Sequence, residues 1–243
     1  LGPVLPGKIK EVTLSFDHPG RYTYYCNTWC SPNHWRMRGV IEVVDPANPV
    51  PAAESDPVIA ALLTEGVNID AVHDTTASAS HTMPEMSVSA QRGASVVATL
   101  TIPPELRDVN WRRSHTPAEG LALLATQNPT VSTPALQDAA AYLWTADVAP
   151  ETLDAAALIY AKNCLACHGA GGGGDGFMAG QTAQPPVAFS DTAHMFTMRA
   201  DVLYAKIRRG GMGTDMPNWG LIFTPEETWA LVDYLWSLGL GSS

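Results

Sequence analysis

The hydrophobic pattern changes period along the chain. Near the start, VTLSF (12–16) alternates apolar and polar residues as a half-buried strand does, DHPGR (17–21) reads as a turn, and YTYYC (22–26) as a second strand. GVIEVVDP (39–46) reads as a strand leaving the intervening loop, and DPANPVPAAESDP (45–57) is a Pro- and Ala-rich linker. Beyond it the spacing becomes mostly helical. SVVATLTIPPEL (95–106) is strand-like, whereas PAEGLALLATQN (117–128), TPALQDAAAYLWTADV (133–148) and residues 153–163 have helical periodicity. The last such stretch, TPEETWALVDYLWSLG, places Thr224 as N-cap, Pro225 at the first helical position, and Glu226 and Glu227 in the first turn. Its Trp229, Leu231, Val232, Leu235 and Trp236 are expected to pack on the helix over 153–163. The pattern predicts a multi-domain chain: a partial β domain over 1–46, a linker and mainly helical segment over 47–148, and an all-α domain over 149–243.

Composition narrows the function classes. With 243 residues, 46% hydrophobic and 16% charged, the chain can bury two modest cores or one large one, and two domains are expected. A formal net charge of -10 disfavours a nucleic acid partner and favours a basic docking partner or small molecules. No apolar run approaches bilayer-spanning length. The chain opens without Met on LGPVLPGKIKEVTLSF, which reads as the middle of a β domain, so a fragment or processed chain is expected.

The 4 cysteines fall into two pairs, Cys26 with Cys30 and Cys164 with Cys167. The second pair stands in CLACH, the attachment sequence of a c-type haem. Two thiols at this spacing add to the two vinyl groups of one porphyrin, and His168 then lies under the iron. A thioredoxin-like dithiol or half a zinc site uses the cysteines but leaves His168 unexplained. A second axial ligand, often Met, comes from the far side of the haem, where its thioether helps raise the potential. Met212 and Met216 are candidates; Met178, Met195 and Met198 read as packing or loop residues.

The sequence GGMGTDMPNWGLIFTPEETWALVDYLWSLG resembles the class I cytochrome c family, with a Gly-rich loop, a Met-Pro step and a terminal helix opened by Thr-Pro-Glu-Glu. The resemblance implies an all-α cytochrome over 149–243 in which Cys164 and Cys167 form the thioethers and His168 and Met216 are the axial ligands.

In the opening third, YYCNTWCSPNHWRMRG (24–39) brings two cysteines, a histidine and a methionine into one loop. A Cys26–Cys30 disulfide is one reading, and it leaves His34 and Met37 as coincidences. Zinc has no use for the thioether, whereas thiolate, thioether and imidazole together suit copper. The spacing CxxxCxxxHxxM resembles the binuclear CuA site of nitrous oxide reductase and of cytochrome oxidase subunit II. That resemblance implies bridging thiolates from Cys26 and Cys30, terminal ligands His34 and Met37, and a backbone carbonyl ligand from Thr28, all on a cupredoxin-like β domain. The second copper histidine of both families lies upstream of where this chain begins, and His18, in the turn before the entering strand, does not replace it. PGRYTYYC, Trp29 and MRG look more like the reductase; Thr28 and Ser31 stand where oxidase subunits commonly have Glu and Gly.

These resemblances imply an electron-transfer module carrying haem c and CuA, most like the C-terminal part of a nitrous oxide reductase. An oxidase subunit II fragment, a copper carrier, and a monohaem cytochrome without a working copper site are the alternatives. Expected partners are a soluble redox donor protein and a catalytic copper domain or terminal reductase or oxidase, with self-association as a homodimer also compatible. The expected location is periplasmic or otherwise extracytoplasmic. His73, His81, His115, Met83 and Met86 lack partners at ligand spacing and read as loop or structural residues. The chain shows no catalytic constellation of its own, and the likeness of 133–148 to the C-terminal helix has two readings, a common Thr-Pro helix start and a degenerate cytochrome-like repeat.

Overall fold

In a computed structural model, the described residues are 9, 11–25, 38–45, 56–69, 88–182, 184–210 and 214–241. Strands β1 (Gly20–Tyr25) and β2 (Arg38–Val43) pair antiparallel, with Gly20 opposite Val43 and Tyr25 opposite Arg38. Residues 26–37 are therefore the connection between the two strand ends. The turn leading into β1 is fixed locally: the Tyr22 hydroxyl donates to the His18 carbonyl at 2.8 Å, and the Phe16 and Tyr22 rings meet at 4.5 Å.

Two sequence expectations are corrected here. VTLSF forms no strand, and Val12 and Leu14 stay about half exposed, because no neighbouring strand among the described residues accepts its backbone groups. Nor do the described residues form a cupredoxin-like β domain over 1–46: they contain one two-stranded sheet, too few strands to enclose a core.

The rest is helical. Helix α1 spans Pro57–Thr64, α2 Ala90–Val97, α3 Val109–Ser114, α4 Pro117–Gln127 and α5 Thr133–Thr145. Helix α6 spans Pro150–Asn163, α7 Leu165–His168, α8 Thr192–Met195, α9 Ala200–Arg209 and α10 Pro225–Leu240. The strand-like reading of SVVATL is also overturned, since Ser95, Val96 and Val97 end α2. The hydroxyl of Ser89 caps that helix, accepting from the Arg92 N–H. Buried Asp138 of α5 then receives the Ser89 N–H at 2.7 Å and the Arg92 guanidinium at 2.7 and 2.9 Å. These tertiary partners outweigh the β-branched residues' local preference.

The expected packing of the last helix is present. Tyr160 of α6 meets Tyr234 of α10 with ring centroids 5.2 Å apart, and Leu231, Val232, Leu235 and Trp236 are buried. The same continuous core includes Leu106, Leu124, Leu136 and Trp144, so the helices of 88–145 share it with those after 150. Polar contacts join them as well: the Ala118 N–H donates to the Phe196 carbonyl at 3.0 Å, and Arg113 lies 4.0 Å over the Trp229 ring.

Asp233, one turn beyond Trp229, titrates abnormally. Burial pushes its carboxyl from 3.8 up to about 6, with Arg113 opposing the shift. The folded state thus holds this proton more tightly than the unfolded chain. The resulting stabilisation is complete below about pH 4 and is lost as pH rises through about 6. Chemical denaturation of wild type and Asp233→Asn is expected to show this slope in the wild type alone, on the order of 1–3 kcal/mol across the window. Parallel pH profiles would reject the assignment.

Candidate haem-attachment site

Helix α6 delivers the attachment motif. Cys164 ends it, and a further helical turn carries the other residues: the Cys167 and His168 N–H groups donate to the Cys164 carbonyl at 3.1 and 2.9 Å. Positions three and four apart lie on one side of a helical turn, so Cys164, Cys167 and His168 share a face. Neither Cys164 nor Cys167 is in a disulfide. Gly169, at φ 77°, ends the turn in a conformation that a side chain would strain. Its carbonyl accepts from the buried Tyr160 hydroxyl at 2.8 Å, which ties the turn to the α6–α10 core.

The glycine-rich loop then folds back over the motif. The N–H groups of Gly174, Gly176 and Met178 donate to the carbonyls of His168, Cys167 and Ala166 at 2.9, 3.1 and 2.8 Å. A β-carbon on Gly176 would lie 2.3 Å from the Ala166 oxygen, so only glycine allows this approach. The motif is held as a rigid, backbone-laced cradle.

His168 is oriented from behind. Its Nδ1 lies 3.1 Å from the Val187 carbonyl, and its ring stacks on Phe189 with centroids 4.7 Å apart. Donation from Nδ1 to that carbonyl leaves the Nε2 lone pair as the ligand atom. Burial lowers the imidazole pKa, partly offset by the Val187 contact, which favours the neutral, metal-binding form. Burial also pushes the Cys164 thiol up to about 12, and burial followed by Asp215 raises Cys167. Thiols held protonated do not suit thioredoxin-type attack, which needs a thiolate.

Met216 lies in the segment between α9 and α10, half-buried against the main core, with its N–H donating to the Thr214 hydroxyl at 3.2 Å. Met178, Met195 and Met198 are buried, as expected of packing residues. Met212 lies outside the described residues. The donor set fits haem c: two thiols and an imidazole share one turn, and the imidazole has its far nitrogen engaged.

Residues 151–235 match the family model described as cytochrome C oxidase, cbb3-type, subunit III. These residues form a cytochrome c domain. The match covers less than half of the chain. Among solved structures, a chain of the Kuenenia stuttgartiensis reducing HAO-like protein complex is similar at 22% identity and a TM-score of 0.34. The similarity covers 45% of this chain and 62% of that one. No curated protein matches. These findings lend no support to a CuA centre, a cupredoxin domain or a nitrous oxide reductase.

The copper-loop residues Cys26, Thr28, Cys30, His34 and Met37 lie outside the described residues, as do His73, His81, Met83 and Met86. His115 is structural: it stacks on Trp111 at 3.9 Å, with Nδ1 2.9 Å from the Trp111 carbonyl. Among the described residues no group of three or more His, Cys, Asp or Glu can hold a metal ion, and no helix is long and apolar enough to cross a membrane. Sequence reasoning missed the Val187 carbonyl behind His168, because a backbone acceptor leaves no residue-type signal.

Proposed function

We propose that this chain relays single electrons between a soluble redox donor protein and a terminal reductase or oxidase, through haem c and a copper centre on the 26–37 loop. The observation that carries the haem part is the CxxCH turn with the His168 Nδ1 tied to Val187. When bound, haem supplies a one-electron iron couple. The chain's residues would hold it: Cys164 and Cys167 would tether it, His168 would present Nε2, and Met216 would supply a thioether.

The copper part rests on the donor set Cys26, Cys30, His34 and Met37 with the Thr28 carbonyl, and on the β1–β2 register, which holds the two ends of that loop opposite each other. Under the same family resemblance each copper takes one histidine, and His34 serves one of the two. The preferred context is the C-terminal part of a nitrous oxide reductase, with electrons passing from haem to copper and then to a catalytic copper domain. An oxidase subunit II context is the second reading, resting on the same CxxxCxxxHxxM spacing. Either context puts the protein in the periplasm or another extracytoplasmic compartment, where thioether attachment and copper loading take place.

Electron paramagnetic resonance of copper-loaded protein tests this. A multi-line spectrum from one electron shared over two coppers is expected when the partner histidine is supplied, and its loss in Cys30→Ser. A mononuclear signal would favour a carrier, and an absence of specific copper uptake would leave a monohaem cytochrome. Stopped-flow mixing with a reduced donor should show haem reduction before copper reduction; the reverse order would reject the direction.

A further inference from the structure

Helix α9 ends where the Met216 segment begins, and the two are stitched together. The Trp219 and Gly220 N–H groups donate to the carbonyls of Ile207 and Arg208 at 3.1 and 2.9 Å. Gly210, at φ 77°, turns the chain so tightly that a β-carbon there would lie 2.8 Å from the Met216 oxygen and 2.7 Å from the Asn218 nitrogen. The Arg208 guanidinium completes the lacing, since its Nη1 donates to the Phe223 carbonyl at 2.7 Å and lies 3.5 Å from the Thr228 hydroxyl. The 217–223 segment is thus clamped between Arg208 and the start of α10.

Arg208 is itself held from a distant part of the chain. Its Nε lies 3.0 Å from Oδ2 of Asp56, and the two side chains are only 15% and 12% exposed. The same oxygen accepts from the Tyr204 hydroxyl at 2.8 Å. Asp56 is placed by the segment it opens: Leu62 and Ile69 bury against Ala205 of α9, and Glu65 reaches Arg199 at 3.1 Å. Asp56 lies outside the residues that match the cytochrome family, 151–235.

We propose that Asp56 is a positioning residue for the axial Met216, acting through Arg208; this rests on the haem reading given above. A largely buried guanidinium needs its carboxylate, and without it the side chain turns toward water. Arg208 would then release the Phe223 carbonyl and loosen the segment that presents the Met216 thioether. The linker that follows the copper loop thereby sets how firmly the haem iron is capped.

The variant Asp56→Asn isolates this role. Oδ1 of Asp56 also caps α1, accepting from the Val58 and Ile59 N–H groups, and asparagine caps as well as aspartate does. The substitution therefore removes the charge while keeping the cap. The test uses the haem-loaded full chain and reads two signals: the sulfur-to-iron charge-transfer band of the ferric protein, and the rate of imidazole binding to the iron, which requires Met216 to leave. Asp56→Asn is expected to weaken the band and speed imidazole binding about tenfold or more, the scale of one lost charge-assisted hydrogen bond. Arg208→Lys should do the same, and the double variant should add little to the larger single effect. Leu62→Ala, which loosens α1 packing without touching the charge pair, should lower thermal stability with a smaller rate change. A wild type with an intact band whose Asp56→Asn variant binds imidazole at the wild-type rate overturns this proposal alone. A wild type without covalent haem overturns the haem reading and this proposal with it.

Discussion

Replacing Cys164 and Cys167 together by serine is expected to abolish covalent haem. Chains matured with the thioether-forming machinery should carry haem through denaturing electrophoresis in the wild type and lose it completely in the double variant. Each single variant keeps one thioether and a haem spectrum shifted toward that of a single attachment. The reason is geometric. Both sulfurs lie on one turn held by the backbone bonds to the Cys164 carbonyl and by the returning glycine-rich loop, and no other cysteine is described near that turn. The stability cost should be large as well, because a tethered group whose ligands come together only on folding stabilises the folded state. Retention of covalent haem in the double variant would show that attachment lies elsewhere.

Met216→Leu is expected to produce the second-largest effect, on potential rather than on attachment. Leucine keeps most of the volume but removes the thioether, and axial ligation sets haem potentials over a range of about 0.8 V. A fall on the order of 0.1–0.3 V, with loss of the sulfur-to-iron band, is expected in a spectroelectrochemical titration. The same change at Met195, which is fully buried, should cost under about 1.5 kcal/mol of packing and leave the potential in place. An unchanged potential in Met216→Leu together with a fall in Met212→Leu would transfer the ligand role to Met212.

The haem motif was legible because its chemistry is local. Cys164, Cys167 and His168 need only one helical turn to come together, and a five-residue word records that. The start of the last helix was equally readable: Thr224 accepts from the Glu227 N–H at 3.1 Å and Glu227 accepts from the Thr224 N–H at 2.8 Å, a reciprocal cap written within four residues. SVVATL misled because its β-branched residues speak for a strand, while the deciding partner, Asp138, lies far along the chain. Asp56 with Tyr204 and Arg208 was invisible for the same reason: nothing near DPVIAALL announces an arginine some 150 residues away. VTLSF shows the converse limit, since alternation gives a strand its pattern but only a neighbour gives it hydrogen bonds. The copper-loop residues lie outside those described, and CxxxCxxxHxxM stands as a reading of donor types and spacing.

The most direct test of haem-based electron transfer is a pyridine haemochrome spectrum of the wild-type chain after acid-acetone extraction, followed by redox titration of the native protein. The account predicts one haem per chain that stays with the polypeptide, shows the band position of two thioether links, and titrates as a single reversible one-electron couple. Haem that extracts freely, or a chain that carries none, would contradict it.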